Sequence, residues 1–561
     1  MRDNVEKLSS YRHGEDGVLY KITGDGDVLI SGSYIKLIAM IRTPERTEWF
    51  NLIEFDDMDG KRRTIEIPCD TLLDSRETLQ LLARAGFSKI YCCKPIVDYL
   101  KAALPSERIV RIKKSGWIND KEYACPSFQV TNNDNSYSLT SRENYGFSKN
   151  GTLEEWKNNL CRYCENNSVL TLGLCVGLSG VLLKWFPAIG SNAINLMGRS
   201  SIGKTSVLYV AASLWGTKKF VQQWRSTSNA LEAVAESHND GLLVLDELGQ
   251  ISSKDLGNIV YMLGNEKGKS RLNSDSELRK SKEWRIAILS SGEIGIVDKI
   301  AEAGEKAKTG QTVRFIDIDA QISDLNGIYE NLHECKSGAD LSNLLKENCT
   351  KYHGFAAEEF VKSLISTDRE TITGIYDAAK NKLFEEFNLS EADPHVIRVA
   401  ETMTLYITTG ILASSDYCGI FTHNIISIED AIYAIFNRWL ADRGGKKSTE
   451  DHMIIEHVIG FLMQHESRYR KIYDFEERTI VNCLGFMEKT TDATVFYIIP
   501  KLFREEMCKG MNVKMVRKIL KKARILEIDA DGQNPKCPVY VHERRLRLIT
   551  LIVNNYSTNE R

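Results

Sequence analysis

The chain has no excess of either charge. Across 561 residues, 73 Lys and Arg stand against 76 Asp and Glu, for a formal net charge of −3. Global charge therefore draws it neither to nucleic acid nor to an anionic membrane, and any such contact must come from local basic patches. There is no regular cysteine framework among its 13 cysteines. Cys161 and Cys164 make one CxxC with no second pair, half of a structural zinc site, and Cys92 and Cys93 are adjacent. Buried reduced thiols in a cytoplasmic setting are expected, with zinc or redox chemistry the weaker alternative. No apolar run is long enough to span a bilayer. The longest uncharged one, Ser168 to Leu183, is broken by glycines and falls short of the ~20 residues required, so a buried helix and no membrane contact are expected. The opening MRDNVEKLSS is charged and holds no signal-peptide core.

What is present is an ordinary globular composition, 42% hydrophobic and 27% charged, long enough for three or four domains with their own cores. Its most informative stretch is NAINLMGRSSIGKT, residues 192–205. An apolar strand pattern meets Gly198, Arg199-Ser200-Ser201-Ile202 follow, and Gly203-Lys204-Thr205-Ser206 open an apolar helical pattern. This is the strand–loop–helix that cradles nucleotide phosphates. Glycines turn the backbone so that N–H groups face the anionic oxygens, and the helix presents its positive end. Lys204 is expected on the β/γ oxygens, and the Thr205 hydroxyl on Mg²⁺.

About 40 residues on, GLLVLDELGQ (241–250) reads as a buried parallel strand ending in Asp246-Glu247 at the carboxyl edge, where such sheets bind ligands. Asp246 is expected to hold Mg²⁺ through water, and Glu247 to orient and deprotonate the attacking water. Two capping carboxylates are the bland alternative. A further strand, RIAILSS (285–291), ends in Ser290 and Ser291, either of which can sense a γ-phosphate, or simply turn the chain. The role of the next acid, Glu293, is open. In TVRFIDI (312–318), Arg314 at the strand start is a candidate to reach into a neighbouring subunit's site and stabilise developing charge.

Between these strands, residues 265–284 carry Lys267, Lys269, Arg271, Arg279, Lys280 and Lys282 around turn material. A basic hairpin here can track a phosphate backbone; a solvated loop is the alternative. Residues 18–130 are rich in short strand patterns, with a helix at 76–86, a strand candidate from Lys89 to Cys93 and a basic strand, Arg108 to Lys114, which offers charge to nucleic acid but reads better as a solvated face. Residues 131–151 look like a linker, 152–187 are helical, and Ser226 or Ser228 is expected to cap a helix after Trp224. Residues 322–440 have helical periodicity. The polar Asp442 to Glu450 marks a boundary. In the last domain a helix near 502–508, a turn at Gly510, a helix at 513–524 and two strands, ILEID and PVYV joined through Asp531-Gly532, form a winged-helix pattern. Its second helix offers Lys514, Arg517, Lys518, Lys521, Lys522 and Arg524 to DNA phosphates; a solvated face or a protein-binding surface is the alternative.

The ordered set GRSSIGKT, WRSTSNALEAVAESHNDGLLVLDELGQ, YMLGNEKGKSR, WRIAILSSGE and GQTVRFIDI resembles a family of helicase-like P-loop ATPases catalogued as a domain of unknown function. That family includes the MCM-like AAA+ helicases of cassette-chromosome mobile elements. The resemblance implies a hexameric ring ATPase that uses ATP and Mg²⁺ and moves on DNA, single-stranded in its pore. By motif position it makes Lys204 and Thr205 the Walker A pair, Asp246 and Glu247 the Walker B pair, Arg314 an arginine finger, residues 265–284 a pore hairpin and Arg398 a second sensor. MCM proteins place Asn where this chain has Ser290-Ser291, so the first sensor stays unassigned.

The expected architecture is an α/β AAA+-like P-loop core, a parallel sheet with helices on both faces, at 188–321. It is flanked by a β-rich domain at 1–130, a linker and helical lead-in at 131–187, a helical lid at 322–441 and a winged helix at 450–561. The expected function is a ring-forming DNA helicase or translocase, replicative for a mobile element. Two alternatives remain: an ATP-driven initiator or loader without processive unwinding, and a protein-remodelling or sensing ATPase indifferent to DNA.

Overall fold

The structure is a computed structural model. It describes residues 10–554 apart from 16, 88, 132–135, 140–142, 270, 273–277, 280, 306–308, 447–448, 473–479, 530–533, 535 and 542–543. The chain divides into two compact units, Met1–Asn388 with Ile397–Trp439, and Leu389–Val396 with Leu440–Arg561.

The first unit begins with an antiparallel meander of Tyr11–His13, Val18–Thr23, Gly26–Arg42, Trp49–Asp56 and Arg62–Pro68. Alternate residues Ile35, Leu37, Ile53, Phe55 and Ile67 turn inward, as the two-residue period of a strand requires. The helices Ser75–Arg84 and Cys93–Ala102 bury Leu82, Ile96, Tyr99 and Leu100 in the same core. Two expectations fail here. Lys89 to Cys93 is no strand: only Ile90 bridges, to Ser31, and a helix starts at Cys93. The 131–151 linker contains a strand, Ser136–Leu139, paired in parallel with Arg108–Ile112.

The centre of the unit is a five-stranded parallel sheet, β1 (Asn192–Met197), β2 (Val221–Gln223), β3 (Leu242–Asp246), β4 (Ala287–Ser291) and β5 (Phe315–Asp319), in the order β2-β3-β4-β1-β5. Helices α1 (Ser168–Leu182) and α2 (Lys204–Ser213) cover one face, and α1 is buried at every residue, which is why its uncharged run needs no bilayer. The other face carries α3 (Ser228–Ser237), α4 (Ser253–Gly264) and α5 (Ile296–Ala301), packed with Trp224 and Trp284 in one apolar cluster. The cap of α3 is Thr227, whose hydroxyl accepts from the Ala230 N–H; neither Ser226 nor Ser228 takes that role. A short helix α6 (Thr309–Arg314) precedes β5, so Arg314 ends a helix and does not start a strand.

Most of residues 338–442 are helical, in line with the periodicity of 322–440. Gly338–Lys351 packs on α2 behind the phosphate loop. Helix α7 (Pro394–Ala413) is the one helix among the described residues long and apolar enough to cross a membrane, and 83% of that stretch is buried inside the protein.

In the second unit, helix Thr449–Gln464 and helix α8 (Val513–Lys522) pack on a sheet of Tyr469–Lys471, Gly485–Lys489, Ala493–Ile498, Ile549–Asn554 and Leu526–Glu527. The segment near 502–508 is a short turn of helix, Pro500–Leu502, continued by a π-helical turn, Phe503–Met507. The expected ribbon pairs differently. Leu526–Glu527 pairs with Ile549–Asn554, and Lys536–Val541 pairs with Arg544–Arg547. Asp531-Gly532 lies outside the described residues.

Candidate nucleotide site

Strand β1 delivers Gly198 to the carboxyl edge of the sheet, and the loop from there to α2 folds through left-handed backbone. Gly198 has φ +142°, Ser201 +65° and Gly203 +106°, values that glycine reaches without the clash a Cβ brings. Gly203 also lies where a Cβ would be 3.0 Å from Ile328. The Lys204 ammonium folds back over the loop, donating to the carbonyls of Gly198 at 2.7 Å and Arg199 at 2.6 Å. Burial pulls its pKa down, and the charges of Glu293, Asp246 and Asp319 oppose that shift. Arg199 and Ser200 are exposed, while Ser206 is buried in the first turn of α2.

Strand β3 sets the Asp246 carboxylate beside this loop, 8% exposed. Its Oδ1 accepts from the Glu247 N–H at 3.0 Å and from the Ser291 hydroxyl. Oδ2 has no hydrogen bond among the described residues, which leaves it for a metal-bound water. Thr205 stands half-buried in the first turn of α2, so the donor set suits Mg²⁺, with hard oxygens and room for water. Glu247 sits in the left-handed region at φ 60° and ψ 62°. That backbone is uncommon for a residue with a side chain and is found where geometry is held for a purpose. The turn carries the Glu247 carboxylate out to solvent, where Gln250 Nε2 donates to it.

The two serines of β4 separate. Ser291 bonds Asp246 at the site. Ser290 is fully buried in a polar row across the sheet: Trp224 Nε1 donates to its Oγ at 2.8 Å, and it donates to Asn195 Oδ1 at 3.0 Å. The row continues from Asn195 Nδ2 to Asp317 Oδ1 at 2.7 Å, and Asp317 accepts the Ile296 N–H. Ser290 is therefore occupied in the sheet and does not face the phosphate loop. Asn195, Asp317, Asp319, Gln250 and Arg438 were not foreseen. A sequence shows only that FIDID alternates; which of its acids reaches the loop depends on the β1–β5 register, which sets Asp319 against Met197 and Asp317 against Asn195.

Arg314 lies at the other edge of the sheet. Phe315 pairs with Ala193 and Asp319 with Met197, so Arg314 is at least ~13 Å along β5 from the phosphate loop. Its Nη1 donates to Asn265 Oδ1 at 2.6 Å, and its stem packs over Gly264. Arg398 is exposed on α7, eight residues before Tyr406, whose hydroxyl donates to Asn192 at the start of β1. Arg438 Nη2 donates to the Gln321 carbonyl, two residues past β5, at 2.5 Å.

The basic segment forms a hairpin: Arg271–Leu272 pairs antiparallel with Leu278–Arg279, and Lys267 bridges Glu283. Lys267 and Lys269 are exposed. Lys267 lies 3.5 Å from Glu283 Oε1, and the Lys269 N–H donates to Glu232. The Arg271 side chain, Lys280 and the tip fall outside the described residues. In the strand Arg108–Ile112, Val110 and Ile112 are buried and Arg111 pairs with Glu66. On α8, Val516, Ile519 and Leu520 face the core, and Lys514, Lys518, Lys521 and Lys522 are exposed. Arg517 is partly buried and bonds Asn534 Oδ1 at 2.8 Å. The CxxC thiols are both buried, and burial pushes Cys161 up to about 12 and Cys164 well above the ordinary thiol range. Among the described residues no group of three His, Cys, Asp or Glu could hold a metal.

The sheet order, the glycine loop with Lys204 folded over it and the Asp246 carboxylate beside it define a P-loop NTPase-like core. Residues 11–283 match the family described as Domain of unknown function (DUF927). A solved structure described as "SCCmec type IV Cch - active helicase" superposes with a TM-score of 0.67 at 16% identity, over 97% of this chain and 97% of that one. At that identity the likeness is one of fold, and it extends past residue 283 through both units. A structure of NtrX from Brucella abortus in complex with ADP aligns over 46% of this chain and 49% of that one, at 11% identity and a TM-score of 0.16, too low to bear on the argument. No curated protein matches the chain.

Proposed function

We propose that the chain is an ATP-dependent DNA helicase or translocase that works as a closed ring of identical subunits. One observation carries the reading: Lys204, Asp246, Glu247 and Ser291 converge at one edge of the sheet, while Arg314 stands at the other. A head-to-tail contact that closes on itself brings the second edge of one copy to the first edge of the next. The likeness in fold to a structure described as an active helicase supports the helicase part of this reading. In the completed site Lys204 and the loop N–H groups hold the triphosphate, and Thr205 and Asp246 hold Mg²⁺. Glu247 takes a proton from the attacking water once it leaves Gln250, and Ser291 fixes the Asp246 carboxylate. The neighbour's Arg314 offsets charge on the leaving oxygens. Lys267, Lys269 and Arg271 are assigned to strand tracking. Residues 322–441 are assigned as the lid, and 450–561 as a winged helix whose Lys514, Lys518 and Lys521 hold duplex phosphates.

The test is unwinding of a forked DNA duplex with ATP and Mg²⁺, with Glu247→Gln as the control expected to bind ATP yet lose about 10²–10⁴-fold in turnover. Unwinding by the wild type alone supports the motor. DNA-stimulated turnover without unwinding points to a loader. Turnover indifferent to DNA and to salt would sink the DNA reading.

A further inference from the structure

Glu293 has no role in the site as assigned above, yet it is held against the phosphate loop. The Ser200 hydroxyl donates to Glu293 Oε1 at 2.6 Å, and Ser200 is one of the loop residues whose backbone must close around phosphate. The carboxylate is also close enough to Lys204 to act on its charge. Its segment is pinned on both sides. The Gly292 N–H donates to the Leu196 carbonyl at 3.0 Å, in the strand that leads into the loop. Three residues past Glu293, the Ile296 N–H donates to the Asp317 carboxylate at 2.9 Å. Gly295 lets that approach happen, since a Cβ there would meet Asp317 Oδ2 at 2.8 Å. The main chain on both sides of this exposed glutamate is thus bonded, and the Ser200 hydroxyl engages the carboxylate itself.

We infer that Glu293 is a positioning residue that occupies the phosphate loop between turnovers and sets the preference of the site for diphosphate over triphosphate. The inference rests on the nucleotide reading of the loop. The chemistry is direct: Ser200 and Lys204 are engaged with Glu293 and with the loop's own carbonyls, and a phosphate chain must take both over. A third phosphate brings added negative charge to the end of the loop that Glu293 borders, and like charges at such separations repel. A diphosphate carries less of that charge and meets less opposition. The carboxylate thereby favours release of the triphosphate from an isolated subunit until a neighbouring cation offsets the repulsion. Arg314 of an adjacent copy has the charge to do this.

The experiment is calorimetric titration of the full chain with Mg²⁺–ADP and with a Mg²⁺-bound non-hydrolysable ATP analogue. It compares wild type, Glu293→Gln, Ser200→Ala and Lys204→Ala. Glutamine keeps the size and the hydrogen bond and removes only the charge. Glu293→Gln is expected to tighten the triphosphate by about three- to tenfold and to change ADP by less than about twofold. Ser200→Ala, which keeps the charge, is expected to move both nucleotides alike. Equal changes for the two nucleotides in Glu293→Gln, or none, would overturn the inference while leaving the nucleotide site intact. Failure of the wild type to bind either nucleotide, or undiminished binding by Lys204→Ala, would overturn the nucleotide reading and this inference with it.

Discussion

The phosphate-loop edge of the central sheet and the exposed face of α8 both carry charge, but they hold it in opposite ways. At the sheet edge, Lys204, Asp246 and Glu293 are each bonded to a named partner within the loop or the strand ends. On α8, Lys514, Lys518 and Lys521 stand in solvent on a helix whose other face is apolar core. Fixed charges of the first kind select a ligand by geometry, because they do not have to reorganise when it arrives. Mobile charges of the second kind attract any phosphate backbone and choose little. Arg314 falls between the two: it is tethered to Asn265, yet it is remote from the site it is proposed to serve.

That intermediate case gives the largest expected effect. Arg314→Ala should lower ATP turnover by about 10³-fold or more if the guanidinium acts across a subunit boundary. The decisive measurement is turnover in mixtures. Arg314→Ala and Lys204→Ala copies, each inactive alone, should regain a measurable fraction of activity when combined, because one junction in the mixed ring has both groups intact. Mixtures that stay as inactive as either parent would confine Arg314 to a structural role in its own chain.

The contrast also explains what could be read before the structure. Lys204, Thr205, Asp246 and Glu247 were legible because a fixed loop length between a strand and a helix leaves few geometries, and the residues encode them locally. The central strands β1, β3 and β4 were legible as short, largely apolar runs that end in turns. Ser290 and Ser291 could not be told apart, because adjacent residues of a strand face opposite sides and only the packing of Trp224 says which side is which. The strand at 315–319 was begun too early. The helical turn Thr309–Arg314 is short, and its Gln311 contact to the Gly257 carbonyl is a tertiary one. The ribbon of the second unit was mispaired because ILEID and PVYV are both good strand sequences, and nothing local says that Leu526 prefers Leu551.

A smaller effect tests the mobile side of the comparison. Replacing Lys514, Lys518 and Lys521 together with Ala should reduce the salt dependence of duplex binding by about one unit of log–log slope for each lysine that touches phosphate, hence by about three. ATP turnover without DNA should be unchanged. Arg517→Ala should do less than any of these, since its guanidinium is already committed to Asn534. Should the slope stay put in the triple variant, α8 is a solvated face and the duplex contact lies elsewhere.

The smallest effect concerns the polar row that braces the fixed site from below. Burial pushes the Asp317 carboxyl up to about 6 from an ordinary 3.8, against the hydrogen bonds from Asn195 and Ile296 that favour its ionised form. The folded chain thus binds this proton more tightly than the unfolded one does. Asp317 contributes fully to stability below pH ~4, and the contribution is lost as pH rises through about 6. Asn at this position stays neutral throughout, so it carries a constant packing and hydrogen-bond cost but no titration. Relative to Asp317→Asn, the wild-type Tm should therefore fall by about 2–5 °C between pH 4.5 and 7.5. Acid loss from His238, whose pKa burial pulls down to about 4, is common to both proteins and cancels in the difference. Parallel Tm curves would mean that the Asp317 proton is not held by the fold, and that the row from Trp224 to Ile296 does not depend on a neutral acid at its end.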